Sequence, residues 1–167
     1  MDDGNWQVSA AEGGRLAARW WRWALSAPEG ESPVADTTGA YAGRRQPGDV
    51  WFLAGSPGGR VVRRCAVPTG RPLFFPVLNT TRRAVPFLTK PWRLEATRAS
   101  AALNSSPLPL HEFTSKPFPV LGMPQVAWGL WCALEPLPPG QFVLEIDAAA
   151  ANGLWIDTTY HLTVAAP

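Results

Sequence analysis

The spacing of apolar residues changes once along this chain. An early stretch repeats at three and four residues, and after residue 50 two-residue alternation takes over. Leu16, Trp20, Trp23, Ala24 and Ala27 fall on one side of a helical projection, with Arg15, Arg19 and Arg22 opposite. Ser9-Ala10-Ala11-Glu12 reads as a capping box, its hydroxyl and carboxylate serving the first-turn amides. A helix is therefore predicted over residues 9–27, ending before Pro28. Trp21 lies about 100° around the axis from Trp20. Two adjacent tryptophans cannot share one core, so one of them covers a second surface, a sheet edge or a ligand cleft.

Residues 28–49 carry Pro28, Gly30, Pro33, Gly39, Gly43, Pro47 and Gly48 and read as loop, with a short extended piece around Val34. Strand patterns follow at 50–54, 60–67, 72–78, 92–98, 126–135, 141–147 and 154–164. Gly55–Gly59 and Pro138-Pro139-Gly140 mark turns between neighbouring strands. The closing pair is the clearest. Ile156, Thr158, Tyr160, Leu162 and Val164 line one face, and Trp155, Asp157, Thr159, His161 and Thr163 line the other. In the 126–135 run, Trp128, Cys132 and Leu134 share one side. Ala127, Gly129, Trp131 and Ala133 share the other, a small-residue floor with one indole. Residues 99–125, rich in Ser, Pro and Leu, are expected to cross the surface as a long excursion. The pattern predicts a mostly β protein: a β-sandwich or jelly-roll-like pair of antiparallel sheets with one N-terminal amphipathic helix packed on them. It forms one domain over 1–167, with helix 9–27, loop 28–49 and a β-rich part from 50 onward.

Composition sharpens this in a few respects. Charged residues make up only 17%, and Pro (18) and Gly (15) are spread along the chain, which suits many short strands. Neither a basic-then-apolar leader nor a run of ~18 apolar residues is visible. The expectation is a cytoplasmic protein without membrane attachment. Two cysteines, Cys65 and Cys132, are too few for a disulfide framework or a four-thiolate metal site. Residues 50–94 hold eight basic residues and no acidic one. Strand alternation would put most of these on a solvated face, and exposed aromatics to accompany them are few, so nucleic acid is not expected.

Several segments together resemble a family of uncharacterised bacterial β-rich proteins, many of them secreted. They are Trp20-Trp21-Arg22-Trp23-Ala24-Leu25-Ser26, Pro33 to Gly39, Val50-Trp51-Phe52-Leu53-Ala54-Gly55, Arg63 to Gly70, Leu73 to Asn79 and Asp157 to Val164. The resemblance implies a shared scaffold and leaves the activity open. Relatives are longer between Asn79 and the closing hairpin. They also carry Gly-x-His-x-Ile-x-Phe where this chain has Gly140-Gln141-Phe142-Val143-Leu144-Glu145-Ile146.

Arg63 shares an apolar strand face with Val61, Cys65 and Val67. A buried guanidinium needs partners, and Asp36 and Asp157 are the expected ones. The outcome is either a tie that clamps the 28–49 loop or an arginine that holds a substrate carboxylate, enolate or phosphate. His161 lies about 13 Å along its strand from Asp157, so it could meet Glu145 or Asp147 across the hairpin as an oriented base, or stand on a solvated face. His111-Glu112 is too sparse for a metal site. Nucleotide-binding and nucleophile-elbow motifs are absent.

Nine tryptophans serve core and helix–sheet packing, which claims Trp20 or Trp23, Trp51 and Trp128, and those left over suit an aromatic pocket. The candidate residues are Arg63, Asp157 and His161 for catalysis, and Trp21, Trp131, Trp155, Asp36 and Tyr160 for substrate binding, with no metal and no cofactor. Three functions fit. One is a cofactor-independent cyclase- or isomerase-type enzyme of bacterial specialised metabolism, acting on an apolar or aromatic small molecule. The second is a non-catalytic module for a carbohydrate or other small ligand. The third is a structural or assembly protein, with a homodimer left open.

Overall fold

A computed structural model describes residues 4–167, and in it sheet alternation and helix periodicity combine into three layers. Helix α1 runs Ala10–Leu25, with Ser9 as its N-cap accepting the Glu12 amide at 3.2 Å. The helix starts one residue and stops two residues inside the predicted span, because Ser9 and Ser26 are the caps and leave Ala27 outside. Strands β1 (Trp51–Phe52), β2 (Gly59–Val67), β3 (Leu73–Arg83), β4 (Ala96–Leu103), β5 (Ser106–Pro107), β6 (His111–Thr114), β7 (Phe118–Val120), β8 (Met123–Leu134), β9 (Gly140–Ala150) and β10 (Trp155–Val164) follow.

They form two five-stranded sheets. One has the order β1-β3-β8-β6 with β7 also on β8, and the other runs β2-β10-β9-β4-β5. The sandwich is as expected, but the sheets are mixed rather than antiparallel. β1 runs parallel to β3, and β2 runs parallel to β10. Both arise because the chain changes sheet at the predicted turns. Gly55–Gly59 carries it from β1 in one sheet to β2 in the other, and Pro138–Gly140 from β8 to β9, so neither turn closes a hairpin.

Leu73, Phe75, Trp128, Cys132 and Leu134 from one sheet meet Leu144, Ile146, Ile156, Tyr160 and Leu162 from the other. The opposite face of the first sheet is covered by α1. Leu16, Ala17, Trp20, Trp23 and Ala24 pack on Phe52, Phe74, Phe113, Trp131 and Ala133. Each fully buried large side chain here contributes roughly 1.5–3 kcal/mol. The outer face of the second sheet stays open to solvent.

Three expectations along the chain are corrected. The strand placed at 92–98 is β4, shifted to 96–103. Its Ala- and Ser-rich sequence has little strand propensity of its own and is held by pairing with β9. The stretch 99–125 is not a surface excursion, since it holds most of β4 and all of β5, β6 and β7. Phe113 of β6 is buried against the helix, an anchor that the surrounding Pro and Ser residues mask. Val34 is in a turn closed by the Asp36 amide on the Ser32 carbonyl, not in an extended piece.

Gly13 and Gly14 let the helix sit this close. A Cβ at Gly13 would lie 2.3 Å from the Phe113 ring, and one at Gly14 would lie 2.4 Å from the Thr114 carbonyl oxygen.

Candidate functional site

Arg63 sits in the middle of β2 and is 1% exposed. Its guanidinium is held by backbone carbonyls and one phenol. Nε donates to Asp36 O at 2.7 Å, and Nη2 donates to Val34 O at 2.8 Å. Nη1 reaches Ala54 O at 3.1 Å, Gly55 O at 2.8 Å and the Tyr160 hydroxyl at 2.7 Å. Tyr160 donates in turn to Ala54 O at 2.7 Å. Its ring also lies beside the Arg63 charge, 5.4 Å from ring centre to guanidinium carbon. Burial pushes the Tyr160 phenol up to about 12 despite the adjacent cation, so it stays protonated.

The expected Arg–Asp tie is therefore corrected. No carboxylate touches Arg63 among the described residues. Asp36 contributes its carbonyl to Arg63 and turns its carboxylate to its own loop. There it accepts the Thr38 amide and hydroxyl, both at 2.8 Å, and the Gly39 and Tyr41 amides, both at 3.0 Å. Burial works to raise its pKa, but these donors outweigh burial and hold it below the ordinary value. Gly39 has φ +95°, and a Cβ there would lie 2.2 Å from the Arg64 carbonyl oxygen. Only glycine lets this loop dock on β2, where the Arg64 amide binds Thr38 O at 2.9 Å.

Asp157 faces the other way. It pairs with Arg60 at 2.7 Å on the solvent side, directly across from Asp147, which pairs with Arg98. A row of charges, Arg60, Asp157, Asp147 and Arg98, thus crosses four strands. His161 lies beside Arg64 and Val143. Glu145 faces Thr159 and Asp147 pairs with Arg98, so of the two alternatives for His161 the base–carboxylate pair across the hairpin does not form. His161 borders a shallow depression of about 640 Å³ with Arg64, Gln141 and Thr163, which contains no carboxylate.

Of the tryptophans, Trp131 is 0% exposed and stacks on Phe74 at 4.7 Å, with Trp20 edge-on at 5.5 Å. Trp20 fills the space the small-residue floor leaves, its indole donating to Leu53 O at 2.8 Å. Trp131 thus offers no surface to a substrate. Trp21 is half-buried, edge-on to Trp20 at 5.0 Å, and packs beside Ala18, Phe118 and Val120. Trp155 is exposed at the end of β10 on the open face, opposite Ala149. Cys65 and Cys132 are free thiols, and burial pushes both up to about 12, which leaves them unreactive.

A larger concavity lies along the flank of α1. It is a groove of about 730 Å³ between the helix and residues 114–119. Ala18, Phe118 and Pro119 line it, and Arg15, Arg22 and Lys116 border it. These three cations make no ion pair among the described residues, whereas Arg19 beside them is held by Asp49 at 2.6 and 3.0 Å. Among the described residues the groove has no acidic lining residue. The Arg15–Arg19–Arg22 stripe was visible as the polar side of the helix, but the opposing wall lay in the stretch read as an excursion.

The structure thus joins Arg63, Tyr160 and the Asp36 backbone. It leaves Asp157, His161, Trp21, Trp131 and Trp155 apart from them. The carbonyls of Val34, Ala54 and Gly55 escape sequence reasoning because any residue supplies one. Comparison of the chain with protein-family models, curated proteins and solved structures finds no match.

Proposed function

We propose that the protein is a non-catalytic β-sandwich binding module for an anionic, amphipathic small molecule, held in the groove along α1. The observation that carries this reading is a groove of about 730 Å³ with an apolar lining in which, among the described residues, three cations make no ion pair and no carboxylate takes part. Such a lining stabilises an acyl or aromatic body by burial and its acid group by charge-assisted hydrogen bonds.

The small-ligand expectation is kept, and its site moves from the tryptophan layer to the helix flank. A cyclase- or isomerase-type reaction is less well supported, because Arg63 and Tyr160 already have internal partners and are sealed from solvent. The family resemblance belongs to this reading as a shared scaffold. The segments around Val34, Ala54, Arg63 and Tyr160 that carry it converge on one buried clamp.

The test is calorimetric titration with dodecanoate, with dodecanol as the neutral control. Dodecanoate should bind saturably and more tightly than dodecanol, and the double variant R15Q/R22Q should weaken it by roughly tenfold or more. No saturable binding, or equal binding by the double variant, would overturn the proposal.

A further inference from the structure

The chain between β3 and β4 leaves the helix-covered sheet through a tight turn in which Val85 and Leu88 exchange both backbone hydrogen bonds, at 2.8 and 3.3 Å. Its apex is apolar and outside every core: Phe87 is 98% exposed and Leu88 59%. The β7–β8 turn carries a second such apex, with Leu121 83% exposed. The two turns share one end of the sheet. The Ala84 amide binds Pro124 O at 2.9 Å, Arg83 pairs with Gln125, and Val120 pairs with Met123.

Leu121 has φ 48° and the following Gly122 has φ 79°, the signature of a type I′ turn. A bulky residue is disfavoured at the first of these positions, where Asn, Asp or Gly is the usual choice. Neither folding nor solubility explains an exposed leucine there, and contact with something outside the molecule does.

We infer that this end of the sandwich docks on an anionic lipid surface, with Phe87, Leu88 and Leu121 entering the interface and Arg82, Arg83 and Lys90 meeting the headgroups. Two features select that occupant. The apolar residues stand on the crests of turns, a convex shape suited to insertion between lipids rather than to gripping a helix or strand. The charge beside them is of one sign, since residues 79–92 and 117–126, which form the two turns and their flanks, carry Arg82, Arg83 and Lys90 and no acidic residue. Arg82, Arg83 and Lys90 also make no ion pair among the described residues. Apolar insertion and attraction to anionic headgroups act together in peripheral binding. The sequence expectation of no membrane attachment rested on the lack of a spanning segment. Among the described residues no helix is long and apolar enough to cross a bilayer, and docking by turn crests requires none.

The experiment is co-sedimentation of the full chain with sucrose-loaded vesicles, either phosphatidylcholine alone or phosphatidylcholine mixed with phosphatidylglycerol. The unmodified protein should pellet with the mixed vesicles and be released by salt. F87S/L88S should lower the partition coefficient by about tenfold or more. R83Q/K90Q should reduce mixed-vesicle binding to the level of phosphatidylcholine alone. Both pairs are exposed, so circular dichroism melts should match the unmodified protein, and R15Q/R22Q in the groove should pellet normally. The inference fails if the unmodified protein stays in the supernatant with both vesicle types, or if F87S/L88S pellets equally well. It fails too if the unmodified protein sediments as a dimer that F87S/L88S dissociates, which would assign the crests to a second copy.

Discussion

The inward and outward faces of β2 and β10 carry the same chemical groups, a guanidinium beside an oxygen acid, and the two arrangements behave differently. Inward, Arg63 and Tyr160 are each 1% exposed and tie two loops to the sheet through carbonyl oxygens. Outward, three residues earlier on each strand, Arg60 and Asp157 form an ion pair in solvent. Opposite charge is present only on the weaker side. Burial and the number of satisfied donors, rather than a salt bridge, decide which arginine holds the fold.

The sharpest way to break this contrast is Arg63→Met. It strands the carbonyls of Val34, Asp36 and Gly55, leaves Ala54 O to the Tyr160 hydroxyl alone, and loosens the 28–49 loop. A loss of roughly 3–5 kcal/mol is expected in urea unfolding. An unchanged midpoint would mean that the clamp is ornamental. Arg63→Lys should recover only part, because an ammonium lacks the planar fork that spans both loops.

Tyr160→Phe keeps the ring and removes one hydroxyl, so about 1–3 kcal/mol is expected from the same measurement.

Alkaline pH probes the same inward face. Tyr160 rises from 10.0 to about 12, and Cys65 and Cys132 rise from 9.0 to about 12. A folded pKa above the unfolded one gives stability that is complete below the unfolded value and lost as pH rises through the folded value. Melting temperature should therefore hold up to about pH 9 and fall progressively toward pH 12. The fall above pH 10 should shrink in Tyr160→Phe, and an identical profile would remove Tyr160 from the cause.

The smallest effect belongs outside. Asp157→Asn breaks the pair with Arg60 but also relieves the facing Asp147, so less than ~1 kcal/mol is expected, shrinking with salt. A larger loss by thermal melting would make the outer row structural.

Periodicity made the frame legible. Alternation along β10 places Ile156, Thr158, Tyr160, Leu162 and Val164 inward, and each is buried. The Ser9 cap and the Trp20/Trp23 face were equally plain. What alternation cannot encode is which sheet a strand joins, so the parallel pairs β1–β3 and β2–β10 were invisible. The buried status of Arg63 was readable from Val61, Cys65 and Val67 around it, but its partners were not. A search for a counter-ion among side chains passes over backbone oxygen. The tryptophan wealth misled in a similar way. A small-residue floor marks a cavity or a place for another side chain, and here Trp20 takes it. The groove was missed because its second wall, residues 114–119, lacks a strand-like pattern.

One consequence of the topology concerns time rather than energy. β2 is an edge strand whose only neighbour in its sheet is β10, and Tyr160 lies 97 residues downstream of Arg63. At a synthesis rate of about 5–20 residues per second, that separation corresponds to roughly 5–20 s. Throughout that interval β2 has no strand to pair with, and Arg63 lacks the Tyr160 hydroxyl. β4, β5 and β9 can pair as they emerge, but β2 joins this sheet only once β10 has been made. The nascent chain is most open to misassociation while β2 waits for β10.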